Sequence, residues 1–550
     1  MTPPPEKDTA SSTHGSRTMR RWIPCLIMAC GIALRLRQYL HIRSLWLDEA
    51  FLADGIAHAS FRDLLSGPLL YGHVLPLGFA AFSKTMATVF GNHELALRFL
   101  PFLMGCGVLP LAYLAAKCWL GRRASLVVLA LFSFSEILIF YTNEFKPYSC
   151  DVFFATALIA AAGYAFSKGR PLQLILLAGI VGLIAPWFSQ PSLFVLFPVA
   201  VAGLASSLPR RHLQVWLAVL VLWGINVAGI FALQYGGMNP SAALPLKAWV
   251  DRFFMIEQAF MPARFPEVLF WIKDSFSRMF INPGSLGMGA APGAVLFVAG
   301  SCLLLLERNV AASLLFKGPF AICLIATRFH LYAFGTLHMI GSRAIVFLLP
   351  GLYLLIATGF ERLQFRSRAL ERHTDWTKVL LLAWLFAYPV HQSLHHVRFP
   401  IVIEEMDKVL SEVKEELRET DSIYVYYWAE PAFRYYAPSY GIDPSRFHLV
   451  CPTSVKPFLS EVSYARIRRG ESPVPVQSTR FIWGCSESYG DCEEELRAMS
   501  GRERVWIVYS HIAPAYRKAL LDVLDRSGNQ IRRIEYPGTS AYLYHFPGYQ

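Results

Sequence analysis

Apolar and polar positions divide the chain into two regions of different pattern. From Trp22 to about Gln392, long apolar stretches alternate with short polar segments, whereas Phe399 to Gln550 has a mixed, charged pattern. A helix needs about 20 apolar residues to cross a bilayer. The stretches therefore predict about eleven membrane helices, near residues 22–38, 98–119, 124–141, 150–167, 171–187, 190–208, 213–235, 292–306, 310–327, 344–360 and 376–392.

The positions of basic residues predict which side of the membrane each connection faces. The segment 69–90 decides the orientation, because it is apolar but carries His73, Pro76 and Lys84. If this segment crosses the membrane, the first basic cluster is separated from all the others. If it lies in the interface, all the main clusters share one side, as the positive-inside rule expects. These clusters are Arg17/Arg20/Arg21, Arg122/Arg123, Lys168/Arg170, Arg210/Arg211, Arg308 and Arg362/Arg366/Arg368/Arg372.

We therefore predict a membrane domain with its N-terminus in the cytoplasm. Residues 1–21 form a disordered cytoplasmic tail, residues 22–395 the membrane domain and residues 396–550 an external domain. Two long loops, 39–97 and 236–291, share the external side and hold interfacial helices. The fold class is thus an α-helical polytopic membrane protein with a C-terminal soluble domain.

The C-terminal pattern predicts a small α/β domain. An amphipathic helical pattern covers Ile401 to Leu417, and a second helical segment covers Ala513 to Arg526. Strand-like runs alternate with the helical segments at residues 422–427, 480–483, 505–509 and 541–545. Its aromatic residues are expected mainly to pack in the core.

Composition and charge exclude several classes of protein. A chain with 54% hydrophobic and 16% charged residues and a mean hydropathy of +0.39 is not an ordinary soluble protein. The net charge of +12 is accounted for largely by loops that face anionic lipid, so a nucleic-acid role is not expected. Arg35 and Arg37 lie near the outer end of the first helix, and we expect them to snorkel to headgroups.

The cysteines do not indicate a metal site. Seven of the ten lie in or beside membrane helices, where a thiol serves as a small apolar residue. Cys485 and Cys492, together with Cys451, lie in the C-terminal domain, and the first two are spaced to close a small disulfide loop in an oxidising compartment. No Cys/His set has the spacing of a zinc site, so no metal ligands are predicted.

Two acidic clusters carry the candidate chemistry. Asp48 and Glu49 follow Leu45-Trp46-Leu47 just past the first apolar span. The structural interpretation is a helix N-cap and a first-turn acid in an interfacial helix. Glu144 and Asp151 flank the second cluster, at the same leaflet in the predicted topology. Ionisable groups at a membrane boundary are costly and favour a functional interpretation.

The second cluster also holds a cation and an aromatic residue. Lys146, Pro147 and Tyr148 lie between the two acids. Pro147 suits the first turn of a helix, which places Asp151 one turn inward. Lys146 is a candidate ligand for an anion, or it pairs with Glu144 or Asp151 and stabilises the start of the helix.

The motifs resemble those of a known family of enzymes. The run from Leu34-Arg35-Leu36 through Arg43 to Ala50 resembles the bacterial polyprenyl-phosphate-sugar-dependent glycosyltransferases of the membrane-embedded GT-C fold. The resemblance continues in order over about the first 170 residues, through His73–Leu77, Glu94–Pro101, Gly121–Ala124 and Tyr141–Tyr148. Relatives include protein O-mannosyltransferases (glycosyltransferase family 39) and the aminoarabinose transferase of lipid A.

The resemblance implies a role for each matching residue. Asp48 would be the catalytic base, Glu49 would support it or contact the acceptor, and Glu144 matches the acid of the second external loop. Further candidate substrate ligands are Lys146, Tyr148, Asp151, Arg98, Arg343 and His73. For three of these the structural alternatives are that Arg98 fixes loop to helix, Arg343 anchors a headgroup at a helix end, and His73 is a solvated interfacial residue.

The resemblance further implies transfer of a sugar from a polyprenyl-phosphate donor to a lipid, polysaccharide or protein acceptor. The reaction would occur on the periplasmic side of a bacterial inner membrane, with inversion at the sugar and without an organic cofactor; a divalent cation is left open. The chain lacks the Gly-rich loop of a nucleotide site. The alternatives are a transporter or flippase of lipid-linked saccharides and another lipid-linked transferase, such as an O-antigen ligase or a membrane acyltransferase.

Overall fold

The computed structural model describes most of the chain, as a mainly helical protein with one C-terminal sheet. The described residues are 11–65, 69, 74–206, 209–235, 259–335, 339–363, 368–443, 445–449, 472–473, 480–484, 496 and 498–547. His73, Cys451, Cys485 and Cys492 lie outside them, so the predictions for these residues stay predictions.

Two compact units make up the fold. The first comprises Met1–Leu40, Leu100–Gly229 and Phe254–Pro400, and the second comprises His41–Phe99, Ile230–Phe253 and Ile401–Gln550. The segment that carries Asp48 and Glu49 thus belongs to the same unit as the C-terminal sheet. The predicted domain bounds follow the chain in order, and they stay a prediction.

The helices follow the predicted apolar stretches. Each of the predicted membrane helices overlaps an observed helix, and the first observed helix begins at Ser11, within the predicted tail. The helices are Ser11–Tyr39, Leu47–His58, Leu77–Phe90, Glu94–Trp119, Arg122–Phe134, Glu136–Tyr141, Tyr148–Lys168, Pro171–Gln173, Gly179–Phe188, Leu193–Ala205, Arg210–Tyr235, Phe265–Met279, Ala290–Leu306, Val310–Arg328, Met339–Ala344, Leu349–Arg362, Arg368–Arg398, Met406–Glu416, Glu430–Tyr436 and Pro514–Ser527. Leu174–Ala178 is a π-helix, and 3₁₀ turns lie at Asp63–Leu65, Gln190–Ser192, Gly287–Gly289, Val346–Leu348 and Ala437–Tyr440.

The protein is a multi-pass membrane protein. Within the described ranges, six helical stretches are long and apolar enough to cross a bilayer: Glu94–Trp119, Tyr148–Ser167, Pro171–Phe188, Arg210–Tyr235, Gly287–Leu306 and Val310–Arg328. In the described part of the segment 69–90, which decided the orientation, the helix is the 14-residue Leu77–Phe90. This length is short of a full crossing and favours the interfacial interpretation.

Arg35 is buried, and the expectation that it snorkels is wrong. Its side chain is 0% exposed and donates to the carbonyls of Gly31, Phe132 and Ser133 at 2.8–3.2 Å. The helix Arg122–Phe134 ends just before Ser135, which leaves its last carbonyls without partners inside the helix. The guanidinium supplies the missing donors, because an unpaired carbonyl is costly in an apolar environment. Arg37 remains exposed and donates to the carbonyl of Val397.

Glycines allow two helices of the first unit to pack closely. A Cβ atom on Gly300 would lie 2.1 Å from the carbonyl oxygen of Leu355, and one on Gly359 would lie 2.1 Å from that of Leu296. Helices Ala290–Leu306 and Leu349–Arg362 therefore contact through their backbones. Small residues commonly permit such contacts in membranes, where lipid supplies no hydrophobic force between helices.

The C-terminal part of the second unit contains a mixed sheet, as the sequence pattern predicts for an α/β domain. The strands are β1 Ser422–Val425, β2 Arg446–Leu449, β3 Ser472–Pro473, β4 Phe481–Trp483, β5 Val505–Ser510, β6 Asn529–Tyr536 and β7 Thr539–His545. Their spatial order in the sheet is β3-β2-β4-β1-β5-β7-β6. Strands β1 to β5 pair in parallel, and β7 pairs antiparallel with both β5 and β6. The buried strands β1 and β5 form its centre.

Four of these strands match predicted runs, and three were missed. The matched strands β1, β4, β5 and β7 are apolar and aromatic. Strand β6 is an exposed edge strand with the sequence Asn-Gln-Ile-Arg-Arg-Ile-Glu-Tyr. An edge strand buries little apolar surface, so its pattern resembles that of a surface loop. Strands β2 and β3 are only four and two residues long.

Replacing Gly359 with alanine tests the close helix contact. We expect Gly359→Ala to lower the free energy of unfolding by about 1–3 kcal/mol, because the new methyl group overlaps the Leu296 carbonyl. Gly224→Ala is the matched control, since a Cβ atom there meets nothing within 4 Å, and it should leave stability unchanged or slightly raised. Thermal unfolding in detergent measures both. Equal unfolding temperatures for the two variants would contradict the contact.

Candidate functional site

Asp48 lies in the first turn of the helix Leu47–His58. Trp46 precedes the helix in extended conformation, and its side chain makes no capping hydrogen bond. Asp48 is half-buried, whereas Glu49 is 0% exposed. The positive end of the helix dipole favours both carboxylates at this position. The helix start thus presents one accessible acid and one enclosed acid.

Two arginines enclose Glu49. Arg43 donates to Oε2 at 2.8 Å, and Arg98 donates to Oε1 at 2.9 Å and to Oε2 at 2.7 Å. All three side chains are at most 4% exposed. Arg98 and Glu49 form a bidentate ion pair, and this geometry makes arginine–carboxylate pairs strong and directional. The Glu49 side chain is therefore held in one position. The triad of Arg43, Glu49 and Arg98 carries a net positive charge beside Asp48.

Arg98 also holds the loop before the helix. Its remaining bonds go to the carbonyls of Arg43, at 2.7 Å, and Ser44, at 3.2 Å. Each guanidinium nitrogen of Arg98 thus has a protein acceptor. Of the two roles considered for Arg98, this geometry favours fixing the loop to the helix that begins at Glu94.

Tyr436 connects the same loop to the start of that helix. Its hydroxyl accepts a bond from the Leu45 amide at 2.7 Å and donates to Glu94 Oε1 at 2.5 Å. Burial and the Glu94 carboxylate hold the pKa of Tyr436 well above its usual value. The hydroxyl therefore stays protonated and can serve both partners at once.

The second acidic cluster lies in the first unit, in the turn before the helix Tyr148–Lys168. Glu144 is 1% exposed, Lys146 is 9% exposed and Asp151 is 4% exposed. Pro147 is the N-cap residue, one position earlier than the sequence predicts, and Asp151 lies in the first turn. A proline with φ −75° is compatible with this helix start and needs no amide donor there.

Asp151 forms a hydrogen bond with Ser189, a residue that the sequence did not indicate as part of the site. The fully buried Ser189 hydroxyl bonds to the Asp151 carboxylate. Oxygen Oδ1 of Asp151 is buried and has no hydrogen-bond partner among the described residues. A buried polar oxygen without a partner is unfavourable. Asp151 can therefore accept a hydrogen bond from a hydroxyl group of a ligand.

Arg343 belongs to the same cluster. It lies close enough to the Tyr141 hydroxyl to act on it electrostatically, as do Glu144 and Tyr148. The Tyr141 and Tyr148 rings are 4.8 Å apart. Residues 141–148 and 343 are distant in the chain, so the fold brings together an acid, two tyrosines and an arginine that the sequence analysis could place only by resemblance.

Tyr332 completes this cluster. Its hydroxyl donates to the carbonyl of Ala344 at 2.7 Å and lies near Asp151 and Tyr148. Phe194 packs against its ring, with centroids 4.8 Å apart. Tyr332 lies in a short irregular segment between two helices, and no sequence motif distinguishes this residue. Half-buried tyrosines such as Tyr148 and Tyr332, with an apolar ring and a polar hydroxyl, suit a site that binds an amphiphilic ligand.

Metal ligands do not gather in either cluster. Among the described residues, no group of three or more His, Cys, Asp or Glu side chains could hold a metal ion. The charged groups that the structure does gather are carboxylates, arginines and a lysine, which suit binding of an anion and transfer of a proton.

Comparisons with known proteins find similarity in structure only. No protein-family model matches the chain, and no curated protein matches its sequence. ArnT from Cupriavidus metallidurans in the apo state aligns over 97% of this chain and 98% of its own, with 12% identity and a TM-score of 0.47. The same protein bound to undecaprenyl phosphate aligns over 94% and 97%, with 13% identity and a TM-score of 0.47.

An archaeal protein is similar to the same degree. The oligosaccharyltransferase AglB from Archaeoglobus fulgidus, in complex with an inhibitory peptide and a dolichol-phosphate, aligns over 96% of this chain and 74% of its own. The identity is 10% and the TM-score 0.48.

Replacing Glu49 tests the buried triad. We expect Glu49→Ala to destabilise the protein by about 3–5 kcal/mol, because two buried guanidiniums lose their shared counter-ion. Asp274→Ala breaks the exposed pair of Asp274 with Arg278 and serves as the control, with an expected cost below about 1 kcal/mol. Thermal unfolding of the detergent-solubilised variants measures both. A similar small change in each would show that the triad contributes little.

Proposed function

We propose that the protein is a glycosyltransferase of the GT-C fold that moves a sugar from a polyprenyl-phosphate donor to an acceptor. The observation that carries the proposal is the start of the helix Leu47–His58. There the buried triad of Arg43, Glu49 and Arg98 holds a half-buried carboxylate, Asp48, in the first turn. A fixed, accessible carboxylate at a membrane protein's loop is suited to take a proton from an acceptor.

Asp48 acts as the base in this proposal. A sugar linked to polyprenyl phosphate already has a good leaving group, so the step that needs help is removal of the proton from the acceptor hydroxyl or amine. As Asp48 takes that proton, the acceptor forms a bond to the anomeric carbon and the bond to the phosphate oxygen breaks. One displacement with one base inverts the anomeric centre.

Glu49 positions Asp48 rather than reacting. Both of its oxygens are bonded to arginines, and its side chain is closed to solvent. An acceptor group cannot reach a carboxylate that is enclosed and paired with two guanidiniums. Asp48 therefore takes the proton, and Glu49 has a structural role.

Arg343 and Lys146 bind the donor phosphate in this proposal. Negative charge grows on the phosphate as the glycosidic bond breaks, and fixed cations stabilise it. Arg343 lies near Tyr141, and Lys146 lies in the turn that follows Glu144. The buried oxygen Oδ1 of Asp151 accepts a hydrogen bond from a hydroxyl group of the donor sugar. Tyr148 and Tyr332 lie close to Asp151.

The setting of the reaction follows from the predicted topology. We propose that both clusters act at the periplasmic face of a bacterial inner membrane, where lipid-linked sugars are presented to lipid, polysaccharide or protein acceptors. The proposal assigns no organic cofactor, because the donor itself carries the leaving group.

Replacing Asp48 tests the reaction and the base together. Membranes that contain the wild-type protein should transfer labelled sugar from one member of a panel of polyprenyl-phosphate donors, and Asp48→Asn should lower the rate at least about 100-fold. Asp54→Asn is the matched control, because Asp54 is a buried acid of the same helix that pairs with His58. Unchanged transfer by Asp48→Asn would exclude it as the base, and movement of donor across the membrane without transfer would favour a flippase.

Replacing Arg343 tests the donor phosphate site. We expect Arg343→Ala to raise the KM for the lipid donor about tenfold or more and to lower kcat, since charge on the leaving phosphate loses a partner. Arg343→Lys should recover part of the loss, because a point charge replaces the planar fork. The control is Arg328→Ala, an exposed arginine at the end of the helix Val310–Arg328. An equal effect of the two alanine variants would favour headgroup anchoring.

A further inference from the structure

We propose that Glu404 is a positioning residue for the catalytic base. From a distant part of the chain, its carboxylate caps the N-terminus of the helix Leu47–His58, which carries Asp48 and is called the Asp48 helix below. This inference rests on the proposed function, with Asp48 as the base. It assigns to the C-terminal region a part in the reaction that the sequence does not indicate.

The Asp48 helix lacks a cap of its own. Serine, threonine, aspartate and asparagine are the residues that usually accept from the first free amides of a helix. Trp46 occupies that position here, and its indole has no acceptor oxygen. Instead, the amide of Leu47 donates to Oε2 of Glu404 at 3.0 Å. A carboxylate at a helix N-terminus also interacts favourably with the helix dipole.

A cation occupies the opposite end of the same helix. Lys84 donates to the carbonyls of Ile56 and Ala57, both at 3.0 Å. The helix is therefore held at its N-terminus by a carboxylate and at its C-terminus by an ammonium group. Both charges have the sign that the helix dipole favours. This arrangement fixes the helix along its axis, and the first-turn residue Asp48 is fixed with it.

The sheet fixes Glu404 in turn. Its side chain is 2% exposed, and it accepts from the Ser510 hydroxyl at 3.0 Å and contacts His511 Nδ1 at 2.8 Å. Ser510 is the last residue of β5, a central strand of the C-terminal sheet. Gly538, with φ +66°, lets the turn between β6 and β7 approach Ile403. A Cβ atom on Gly538 would lie 2.1 Å from the carbonyl oxygen of Ile403.

The neighbouring residues bind the same loop in parallel. Ser44 Oγ donates to Glu405 Oε2 at 3.2 Å and accepts from the amide of Asp407 at 3.2 Å. The Trp46 ring lies 6.0 Å from the His511 ring. Together with the bond between Leu47 and Glu404, these contacts tie residues 44–47 to residues 404–407 and to the end of β5. The backbone that sets the direction of Asp48 is held by the carboxyl edge of the sheet.

The test compares Glu404→Ala and Glu404→Gln with a matched control. Asp421→Asn is the control, because Asp421 is a buried acid of the same region that pairs with Arg504 and accepts from the Trp506 indole. It lies next to β1, and within the described part of the chain its side-chain bonds go to Arg418, Arg504 and Trp506 rather than to residues 44–47. The wild type and all variants are assayed as full chains in detergent or membranes.

Kinetics provide the first measurement. We expect Glu404→Ala to lower kcat about tenfold while the KM for the lipid donor changes less than about threefold, because the base loses its position and the donor keeps its ligands. Glu404→Gln should recover part of kcat, since its amide oxygen can still accept from Leu47. Asp421→Asn should leave kcat unchanged. A wild-type kcat in folded Glu404→Ala, or an equal loss in Asp421→Asn, would overturn the proposal.

Amide hydrogen exchange provides a measurement that is independent of activity. Exchange in residues 47–51 should rise at least about tenfold in Glu404→Ala and stay at the wild-type level in Asp421→Asn. Faster exchange without any sugar transfer by the wild type would uphold the cap and overturn the proposed function. Unchanged exchange would overturn the cap, whatever the wild type transfers.

Discussion

The burial of Glu49 between two arginines is the interaction on which the Asp48 region depends. A single carboxylate in an enclosed position must have its charge matched by nearby donors, and Arg43 and Arg98 do so with three short bonds. Arg98 uses its other nitrogens to hold the carbonyls of the preceding loop. One buried charge thus helps to fix the path of the loop and the start of the helix that carries Asp48.

The same physical constraint recurs elsewhere in the molecule. Where the helix Arg122–Phe134 ends, the guanidinium of Arg35 supplies donors to Phe132 and Ser133. At the start of the Asp48 helix, Glu404 supplies the missing acceptor to Leu47. In each place a helix ends away from bulk water, and a charged side chain from another segment satisfies its free backbone groups. Charged side chains of this protein therefore serve as structural partners as well as candidate reactive groups.

Several site residues were predicted, but their division of labour was not. Asp48 and Glu49 are adjacent in the chain and equal in chemistry, and only the fold encloses one and leaves the other half-buried. Arg98 was a candidate for either phosphate or loop, and its bonds favour the loop. Ser189, Tyr332 and Glu404 were not predicted, because an isolated serine, tyrosine or glutamate resembles many surface residues until its partner is known.

The sequence alone determined the class of the protein: apolar stretches of membrane length, a charged C-terminal α/β region and two acidic clusters in loops. These features are local, and the hydrophobic effect and backbone hydrogen bonding act on them wherever they occur. The tertiary structure alone decided which charges are matched, which helix ends are capped and which acid stays accessible. Those contacts join residues such as Leu47 and Glu404, which are 357 positions apart, and any of several polar side chains could have satisfied each one.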